Sequence, residues 1–569
     1  MSLLRFLNIR KTYRNVKRVR QIVRVLLKHG LGRFVEEINL QRYIPISRRL
    51  RTFGRYGIYL EKATLAKRTR LAFEELGPSF IKLGQLLSAR PDLVTKTFAD
   101  EFRKLLDEVP PFPSEESVRI IEDELKRPLK DVFSFFDETP VAAASIAQAH
   151  HATLKDGTDV VVKVCRPDIE ENIENDIAIL YLIARLMLRY IPESRFFNPI
   201  GIVDEFSKNI KKEMDFIIEA DNATTFRKNF EGSETVYIPK VYYDYTTRRV
   251  LTMERLVGIK IDDFERLDRE GFDRKDIARK GTEAYFKQFF EDGFFHADPH
   301  PGNIFILEDG RMGLMDFGIV GRLSEETMEG IANTFLALIH KDFDRLVQQY
   351  IELGLVTEEM DTEKFRVEFK RDLIDFVEPL YSKTLSQIDI GEYLDRITHI
   401  AVRHNLKLPT DLLLVDKSLL TIEGLGRRLD PDFNLISVAE PYATKFMRRK
   451  MSPKRLLTKA RKSLDDIADF LSTLPRQLRI VMRKVIRDDL HVKITHIGLD
   501  RLIRDIDRSS NRLSFSLIIA AIIIGSAVII HSGSGRLLYG LPALGLIGFA
   551  IAFLFGAWLL IAILRSGRL

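Results

Sequence analysis

Cysteine is almost absent from this sequence, in which Cys165 is the single example. One cysteine per chain excludes an intrachain disulfide and a cysteine-built metal site, and it agrees with a reducing compartment. The sequence also lacks a G-x-G-x-x-G dinucleotide fingerprint and a cluster of metal ligands suited to oxygen chemistry. These absences argue against a direct monooxygenase.

Acidic residues are missing from two stretches of the chain, which as a whole has 88 Lys and Arg against 81 Asp and Glu. Residues 1–30 contain nine basic residues and no acid, and so do residues 445–462. Such blocks suit an anionic membrane surface or nucleic acid. Residues 1–33 alternate apolar and basic side chains, which predicts one or two amphipathic helices on a membrane surface. An ordinary solvated helix or a cleaved mitochondrial presequence has a similar composition.

Charge is missing altogether from two apolar runs near the end of the sequence. Residues 514–530 carry no charge, and residues 541–564 form a second uncharged run of 24 residues. A transmembrane helix needs about 20 apolar residues, so the second run is long enough and the first is near the lower limit. We expect a helical hairpin in a membrane, with anionic lipids and not nucleic acid as the partner. Arginines flank the hairpin on both sides, so the positive-inside rule predicts a cytoplasmic body.

The stretch HADPHPGNIFILEDGRMGLMDFG, residues 296–318, is the main candidate for chemistry. Its Asp-Gly turn between two apolar runs predicts a hairpin that brings Asn303 close to Asp316. Such oxygen-bearing side chains suit Mg²⁺ that is already held by nucleotide phosphates. Asp298 is then placed to orient or deprotonate an attacking hydroxyl or water. The order Asp, Asn, Asp-Phe-Gly matches the catalytic and D-F-G motifs of protein kinases.

Upstream residues extend this pattern. The strand-like run 160–164 contains Lys163 near its end, where an ammonium can pair phosphates, although a snorkelling strand lysine is the simpler alternative. Residues 168–230 are predicted to be helical and offer carboxylate partners for this lysine. The candidate partners are Glu213, Asp215 and Glu219.

Two further stretches are less distinctive when taken alone. In the motif KLGQ, Lys82, Gly84 and Gln85 interrupt an apolar helical stripe, and such residues are usually just solvated. Met253 and Glu254 are expected where the chain crosses between two lobes, with backbone groups available to an adenine edge. Neither stretch would indicate a function without the motifs around it.

Taken together, these residues resemble the UbiB-type atypical kinase-like family of coenzyme Q biosynthesis. The resemblance covers roughly residues 60–440 and rests on KLGQ, AAAS, EMD, HADPHPGN and DFG. It implies that KLGQ is a gating element that folds over the nucleotide site and meets Glu213 and Asp215, and that Glu219 is the partner of Lys163. The nucleotide-binding residues that it implies are Ala142, Ala143, Ala144, Ser145, Ile146, Lys163, Glu219, Met253 and Glu254.

The chain departs from ordinary protein kinases in ways that bear on the substrate. An Ala-rich loop replaces the glycine-rich loop, and alanine disfavours the positive φ and close backbone approach that glycine permits. Ala297 stands where kinases have the Arg of H-R-D, and no A-P-E motif follows Gly318. Fifty-six residues separate Lys163 from Glu219, so an insertion is expected between them. As the phosphoryl acceptor, water or a small or lipidic hydroxyl is therefore favoured over a peptide of another protein.

The predicted fold class is α+β, a two-lobed protein-kinase-like fold with a helical N-terminal extension, followed by a C-terminal transmembrane helical hairpin. The expected segments are a basic N-terminal segment (1–59), a helical extension (60–130), an N-lobe with an insertion (131–255), a C-lobe (256–444), a basic helical neck (445–513) and two transmembrane helices (514–565).

The expected function is a Mg-nucleotide-dependent atypical kinase or ATPase that supports ubiquinone biosynthesis by handling lipid precursors. ATP or ADP with Mg²⁺ is the expected cofactor, and Asn303 and Asp316 are the expected metal ligands. Lys163 and Asp298 are the expected catalytic residues. Quinone-precursor lipids and quinone-biosynthesis enzymes are the expected partners, at a bacterial inner membrane with a multi-pass anchor. A weakly catalytic, nucleotide-switched scaffold and a kinase for a small-molecule or protein hydroxyl are the alternatives.

Overall fold

The computed structural model describes residues 16–40, 63–88, 90, 93–105, 109–353, 362–377, 400, 403–404, 406, 409–450, 499–533, 537–538 and 541–565. The chain divides into two compact units, Met1–Leu457 and Thr458–Leu569. The first unit contains all of the predicted kinase-like residues. Most of the predicted basic neck, residues 451–498, lies outside the described residues.

The N-terminal helices are core elements of the first unit. Helix α1 spans residues 16–28 and α2 spans Gly32–Glu37. Ile22 and Val23 of α1 are fully buried in the main hydrophobic core. The prediction of a membrane-surface helix was therefore wrong for residues 16–33, because the apolar face packs against protein. Residues 1–15 of that prediction lie outside the described residues.

The described parts of residues 60–130 are mainly helical. Their helices are α3 (Leu65–Leu76), α4 (Pro78–Ser88), α5 (Lys96–Phe102), α6 (Ser114–Leu125) and α7 (Leu129–Val132). Helix α4 carries the KLGQ motif and packs with α3 and α5 around a small core that contains Phe102. The motif therefore stands on a packed helix and not on a surface loop.

The N-lobe is built on a five-stranded sheet. Its strands are β1 (Phe133–Phe136), β2 (Ala142–Ala143), β3 (Ala147–Leu154), β4 (Asp159–Cys165) and β6 (Val250–Glu254). The order is β1-β3-β4-β6, with β2 also paired to β3, and all of these pairs are antiparallel. The expected hairpin around Gly157 joins β3 to β4, and Gly157 has the positive φ of +86° that its turn requires.

The predicted insertion after Lys163 is helical. It contains α8 (Ile169–Tyr190), a 3₁₀ segment (Pro192–Phe197) and α9 (Pro199–Glu213). Helix α10 (Phe216–Asn229) follows after only two residues. This arrangement places the acidic residues of the EMD motif at the junction between α9 and α10.

The C-lobe combines a second sheet with helices. Its strands are β5 (Val236–Tyr237), β7 (Gly258–Lys260), β8 (Phe294–His296), β9 (Ile304–Leu307), β10 (Met312–Leu314) and β11 (Val320–Arg322). Strands β5-β10-β9-β7 form one sheet, and β8 pairs with β11. The helices are α11 (Phe264–Arg269), α12 (Arg274–Lys287), α13 (Glu325–Ile339), α14 (Phe343–Glu352), α15 (Thr362–Val377), α16 (Thr410–Leu429) and α17 (Leu435–Lys450).

The described part of the second unit contains two helices, α18 (Leu499–Ser532) and α19 (Ala543–Arg565), and between them lie β12 (Leu537–Leu538) and β13 (Leu541–Pro542). Within the described part of the chain, one helix is long and apolar enough to cross a membrane, at Ser510–Ser532. The described apolar part of α19, Ala543–Leu559, is shorter. A Cβ on Gly545 would lie 3.0 Å from the Ser526 carbonyl oxygen, so the two helices approach closely there.

Candidate active site

Lys163 lies on one face of β4, opposite the face that packs into a hydrophobic cluster of the N-lobe. Val160, Val162 and Val164 alternate with it and are fully buried, as expected for a strand with side chains of period two. The Lys163 Nζ atom donates to both carboxylate oxygens of Glu219, at 3.0 and 2.9 Å. Glu219 stands in the first turn of α10 and is only 5% exposed. The structure thus brings together the pair that the family resemblance implied.

Asp316 is the second carboxylate near this lysine, with its Oδ1 atom 3.9 Å from Lys163 Nζ. Burial disfavours the ammonium, but the carboxylates of Asp316 and Glu219 outweigh burial and raise the pKa of Lys163 above its ordinary value. The same ammonium lowers the pKa of Asp316. Both groups are therefore charged at neutral pH. The Asp316 side chain is about half-exposed (52%), so its carboxylate is open to solvent beside Lys163. The space in front of these two side chains, between the N-lobe and the C-lobe, is called the cleft below.

Helix α10 holds the D-F-G segment as well as the lysine. The Asn222 side chain, one turn after Glu219, donates to the Phe317 carbonyl oxygen at 3.0 Å, and this contact is buried. Phe317 is fully buried and its ring lies 5.3 Å from that of Phe226 on the same helix. One rigid element therefore positions both Lys163 and the backbone next to Asp316.

The loop between β8 and β9 carries Asp298 and Asn303. The His296 side chain lies 3.0 Å from the Met315 carbonyl oxygen, and the Asn303 side chain donates to the Asp298 carbonyl oxygen at 3.2 Å. The backbone N–H of Met315 donates to the Asn303 carbonyl at 2.9 Å. The predicted hairpin is confirmed as β9–β10, and it places the Asn and Asp candidates at neighbouring strand ends, as expected.

The side chains present fit a magnesium ion that is carried in by a nucleotide. No group of three or more His, Cys, Asp or Glu residues suited to a metal occurs in the described portions of the chain. An ion held by protein alone is thus not indicated. Magnesium is usually held by one or two carboxylates together with substrate phosphates and water. Asp316 and the amide oxygen of Asn303 are donors of this kind at the mouth of the cleft.

The Ala-rich loop is a tight turn between β2 and β3. The N–H of Ala144 donates to the Ala147 carbonyl at 2.7 Å, and the Arg166 side chain donates to the Ala144 carbonyl at 2.9 Å. Ser145 and Ile146 are buried, and the Ser145 hydroxyl has no hydrogen-bond partner among the residues described. The loop is therefore anchored to the lobe, in contrast to a mobile glycine-rich loop.

Comparison with known proteins assigns this arrangement to a family. The model of the ABC1 atypical kinase-like domain matches residues 104–350, that of the UbiB helical domain matches 362–434, and that of the ABC1/UbiB kinase-like C-terminal domain matches 497–565. A "Probable protein kinase UbiB" of Pseudomonas fluorescens (strain Pf0-1) is 38% identical over 81% of this chain and 86% of its own length. The chain belongs to the ABC1/UbiB kinase-like family. Its α+β fold is accordingly kinase-like.

Other relatives agree with this assignment. A "Probable protein kinase UbiB" of Aeromonas salmonicida (strain A449) is 37% identical over 88% of this chain and 90% of its own length. A solved chain, from the complex of Rv3197 with erythromycin from Mycobacterium tuberculosis, is 26% identical and covers 64% of this chain and 92% of its own, with a TM-score of 0.45. That TM-score is too low to argue from.

The KLGQ motif of this ABC1/UbiB chain reaches the site through Lys82. Its Nζ atom lies 2.5 Å from Glu213 at the end of α9. Asp215, the second acid that was expected to meet the motif, accepts from the Ile217 N–H at the start of α10 and lies 3.4 Å from Arg248. Its carboxylate therefore caps helix α10 at the same junction.

Gly84 and Gln85 of the same motif have packing roles. A Cβ on Gly84 would lie 2.3 Å from Leu105 Cδ1, so only glycine lets α4 approach this side chain. The Gln85 side chain donates to the Leu105 carbonyl oxygen at 3.1 Å. Both residues thus fix α4 against the segment after α5, and in this structure Lys82 is the member of the motif that points toward the acidic junction.

Met253 and Glu254, the expected adenine-binding residues, lie within β6. The Glu254 N–H already donates to the Lys240 carbonyl at 2.8 Å, and its carboxylate accepts from the Tyr237 hydroxyl at 2.7 Å. The chain leaves the sheet only after Glu254, and Val257 in the following connection is exposed. The N–H of Glu254 is therefore already paired within the N-lobe.

Two residues at the site were missed in the sequence. Asn222 has a signal in hindsight, since it lies three positions after Glu219 on the same helix face. The second missed residue is Lys417 of α16, for which the sequence contains no such signal. Its Nζ atom donates to the Asp298 Oδ1 atom at 2.8 Å across 119 residues of sequence. Spacing cannot reveal a contact between elements so far apart.

Proposed function

We propose that this chain is a membrane-anchored, Mg-nucleotide-dependent kinase-like ATPase. It supports ubiquinone biosynthesis through the ATP-dependent handling of lipid precursors. The observation that carries the proposal is the position of Lys163, between Glu219 at 2.9 Å and Asp316 at 3.9 Å. A partly buried lysine held by one carboxylate beside a second, half-exposed carboxylate is the arrangement with which kinases bind phosphates and metal. Membership of the ABC1/UbiB kinase-like family supports the link to ubiquinone that the sequence resemblance implies.

Each residue has a role that follows from its chemistry. Lys163 would pair the α- and β-phosphates, and Glu219 keeps its ammonium in place. Asn303 and Asp316 would hold Mg²⁺, which when bound neutralises phosphate charge. Asp298 would accept a hydrogen bond from the attacking oxygen. Positioning and electrostatic complementarity supply most of the rate enhancement in such sites.

The segment after the D-F-G motif supports a small or lipidic acceptor, or water, over a peptide. Strand β11 begins at Val320 and pairs with β8, and helix α13 begins at Glu325. Only six residues therefore separate Gly318 from the helix, which leaves no room for a peptide-binding activation segment. The missing arginine at Ala297 agrees with the absence of a phosphate-reading pocket.

The second unit supports anchoring in the bacterial inner membrane. Its candidate span Ser510–Ser532 follows several arginines, and the close approach at Gly545 supports a hairpin with α19. On this proposal both helices span the bilayer and the kinase-like body is cytoplasmic. Precursor lipids then reach the cleft from the membrane surface.

The decisive experiment is ATP hydrolysis by the full chain in anionic lipid vesicles, with and without Mg²⁺ and a phenolic quinone-precursor mimic. We expect Mg-dependent turnover that Asp316→Asn lowers by about 10²-fold or more. The matched control is Asp309→Asn, an exposed carboxylate in the turn of the same hairpin, which pairs with Arg311 and should leave turnover unchanged. Wild-type turnover in Asp316→Asn would contradict the assignment. Nucleotide binding without turnover in the wild type would favour a nucleotide-switched scaffold.

A further inference from the structure

The catalytic loop contains no cation of its own. Residues 288–310 include no Lys or Arg, although they contain several acids. The one positive side chain that the structure places on Asp298, among the residues described, comes from α16. Lys417 Nζ donates to Asp298 Oδ1 at 2.8 Å, while Oδ2 has no partner in the described ranges. The loop therefore depends on a distant helix for its counter-charge.

Lys417 is held in place by its own helix. Ser418, the next residue, is fully buried and donates to the Leu414 carbonyl oxygen at 2.8 Å. Leu419 and Ile422 are buried in the main core, and α16 packs against α12 and β11. The backbone under Lys417 is thus anchored on the side opposite the cleft. The side chain of Lys417 therefore extends from a backbone position that is held by the core.

The ion pair nevertheless faces solvent. The side chains of Lys417 and Asp298 are 39% and 36% exposed, so a ligand in the cleft can reach both. An exposed ion pair contributes little to folding stability. Its significance therefore lies in orientation, since an occupied Oδ1 atom leaves Oδ2 as the oxygen that can accept from an incoming hydroxyl or water.

We propose that Lys417 is a positioning residue for phosphoryl transfer, which locks the Asp298 carboxylate so that its Oδ2 atom faces the attacking oxygen. This inference rests on the proposed function, because Lys417 would position a residue of the same active site. It also connects α16, which lies in the region matched by the UbiB helical domain, to the reaction through Asp298. Lys417 acts through Asp298, and its removal affects the chemical step more than nucleotide binding.

The test is a double-mutant cycle on the full chain in the vesicle assay. Lys417→Met keeps the apolar stem and removes the charge, and we expect it to lower kcat by about 10²-fold with KM for Mg-ATP within about twofold of wild type. Lys417→Arg keeps a cation within reach and should recover most of kcat. In an Asp298→Asn background, Lys417→Met should cause no further loss, because residues that act as a unit are not additive.

Two controls separate positioning from folding. Lys275→Ala breaks an ion pair at the end of α16, in which Lys275 of α12 lies 3.6 Å from Asp430, the residue that follows α16, and it should leave kcat unchanged. Thermal unfolding is measured for every variant, and Lys417→Gln replaces Lys417→Met if the latter melts early. Wild-type kcat in the uncharged variants, or losses that multiply with that of Asp298→Asn, would overturn the positioning role while the ATPase assignment stands. Absence of turnover in the wild type would overturn both.

Discussion

Glu219→Gln removes one charge from the Lys163 pair while keeping side-chain size. At an effective dielectric constant of about 20, two unit charges attract by about 6 kcal/mol at the 2.9 Å of Glu219 and by about 4 kcal/mol at the 3.9 Å of Asp316. The second value overstates the contribution of Asp316, because that side chain is about half-exposed and screened by water. The variant therefore leaves Lys163 with the weaker of its two partners.

The stability cost follows from this imbalance. Removing one partner of a buried ion pair costs about 3–5 kcal/mol, and the remaining attraction to Asp316 should bring the loss to about 3 kcal/mol. The lysine should also turn toward Asp316 and compete with Mg²⁺ for its carboxylate. We expect a lower melting temperature, a raised KM for ATP and a greater Mg²⁺ requirement, measured by thermal unfolding and by hydrolysis at several Mg²⁺ concentrations.

Asp176→Asn is the matched control for this prediction. Asp176 is equally buried and pairs with Arg18 at 2.7 Å, away from the cleft, so its loss should lower stability without changing KM. A Glu219→Gln variant that melts with the wild type and keeps the wild-type Mg²⁺ requirement would refute the electrostatic reasoning.

Two further predictions concern the scaffold. Gly84→Ala places a Cβ 2.3 Å from Leu105 Cδ1 and should lower the free energy of unfolding by about 1–3 kcal/mol. Gly424→Ala is the control: a Cβ there meets no atom within 4 Å, so this variant should be as stable as the wild type or more stable. Equal melting temperatures of the two variants would contradict this prediction. Burial lowers the pKa of His150 below its ordinary 6.5, so the unfolded chain binds the proton more tightly than the folded chain. The stability that neutral His150 contributes should be complete above about pH 6.5 and should be lost as the pH falls through the lower folded-state pKa. Melting curves across this range should show the decline, and a His150→Gln variant that declines as steeply would argue against it.

Local patterns predicted the kinase-like part of the fold well. The turns at Gly157 and Gly310 and the alternation around Lys163 are short-range signals, and the structure places each in the expected hairpin or strand. The site residues from Lys163 to Asp316 are brought together for the same reason, since the motifs mark the ends of these strands. The roles of those residues stay predictions until turnover is measured.

Patterns could not identify what each surface packs against. The apolar stripe of α1 looks the same whether it contacts lipid or protein, and here it contacts protein. Glu213 and Asp215 are two positions apart, so they do not share a helix face. This spacing could not show that one acid pairs with Lys82 while the other caps α10. The contact of Lys417 with Asp298 depends on tertiary packing alone.

The backbone at Asp316 restricts which amino acids the D-F-G segment can accept. Its φ of +58° lies in the left-handed region, which L-residues other than Asn and Asp rarely occupy. Asn keeps this conformation accessible, while Ala adds a backbone penalty to the loss of the carboxylate. Loss of turnover in Asp316→Ala would therefore combine a chemical effect with a conformational one. A sequence library made at this position would be expected to retain Asp, Asn and Gly among folded clones and Asp alone among active ones.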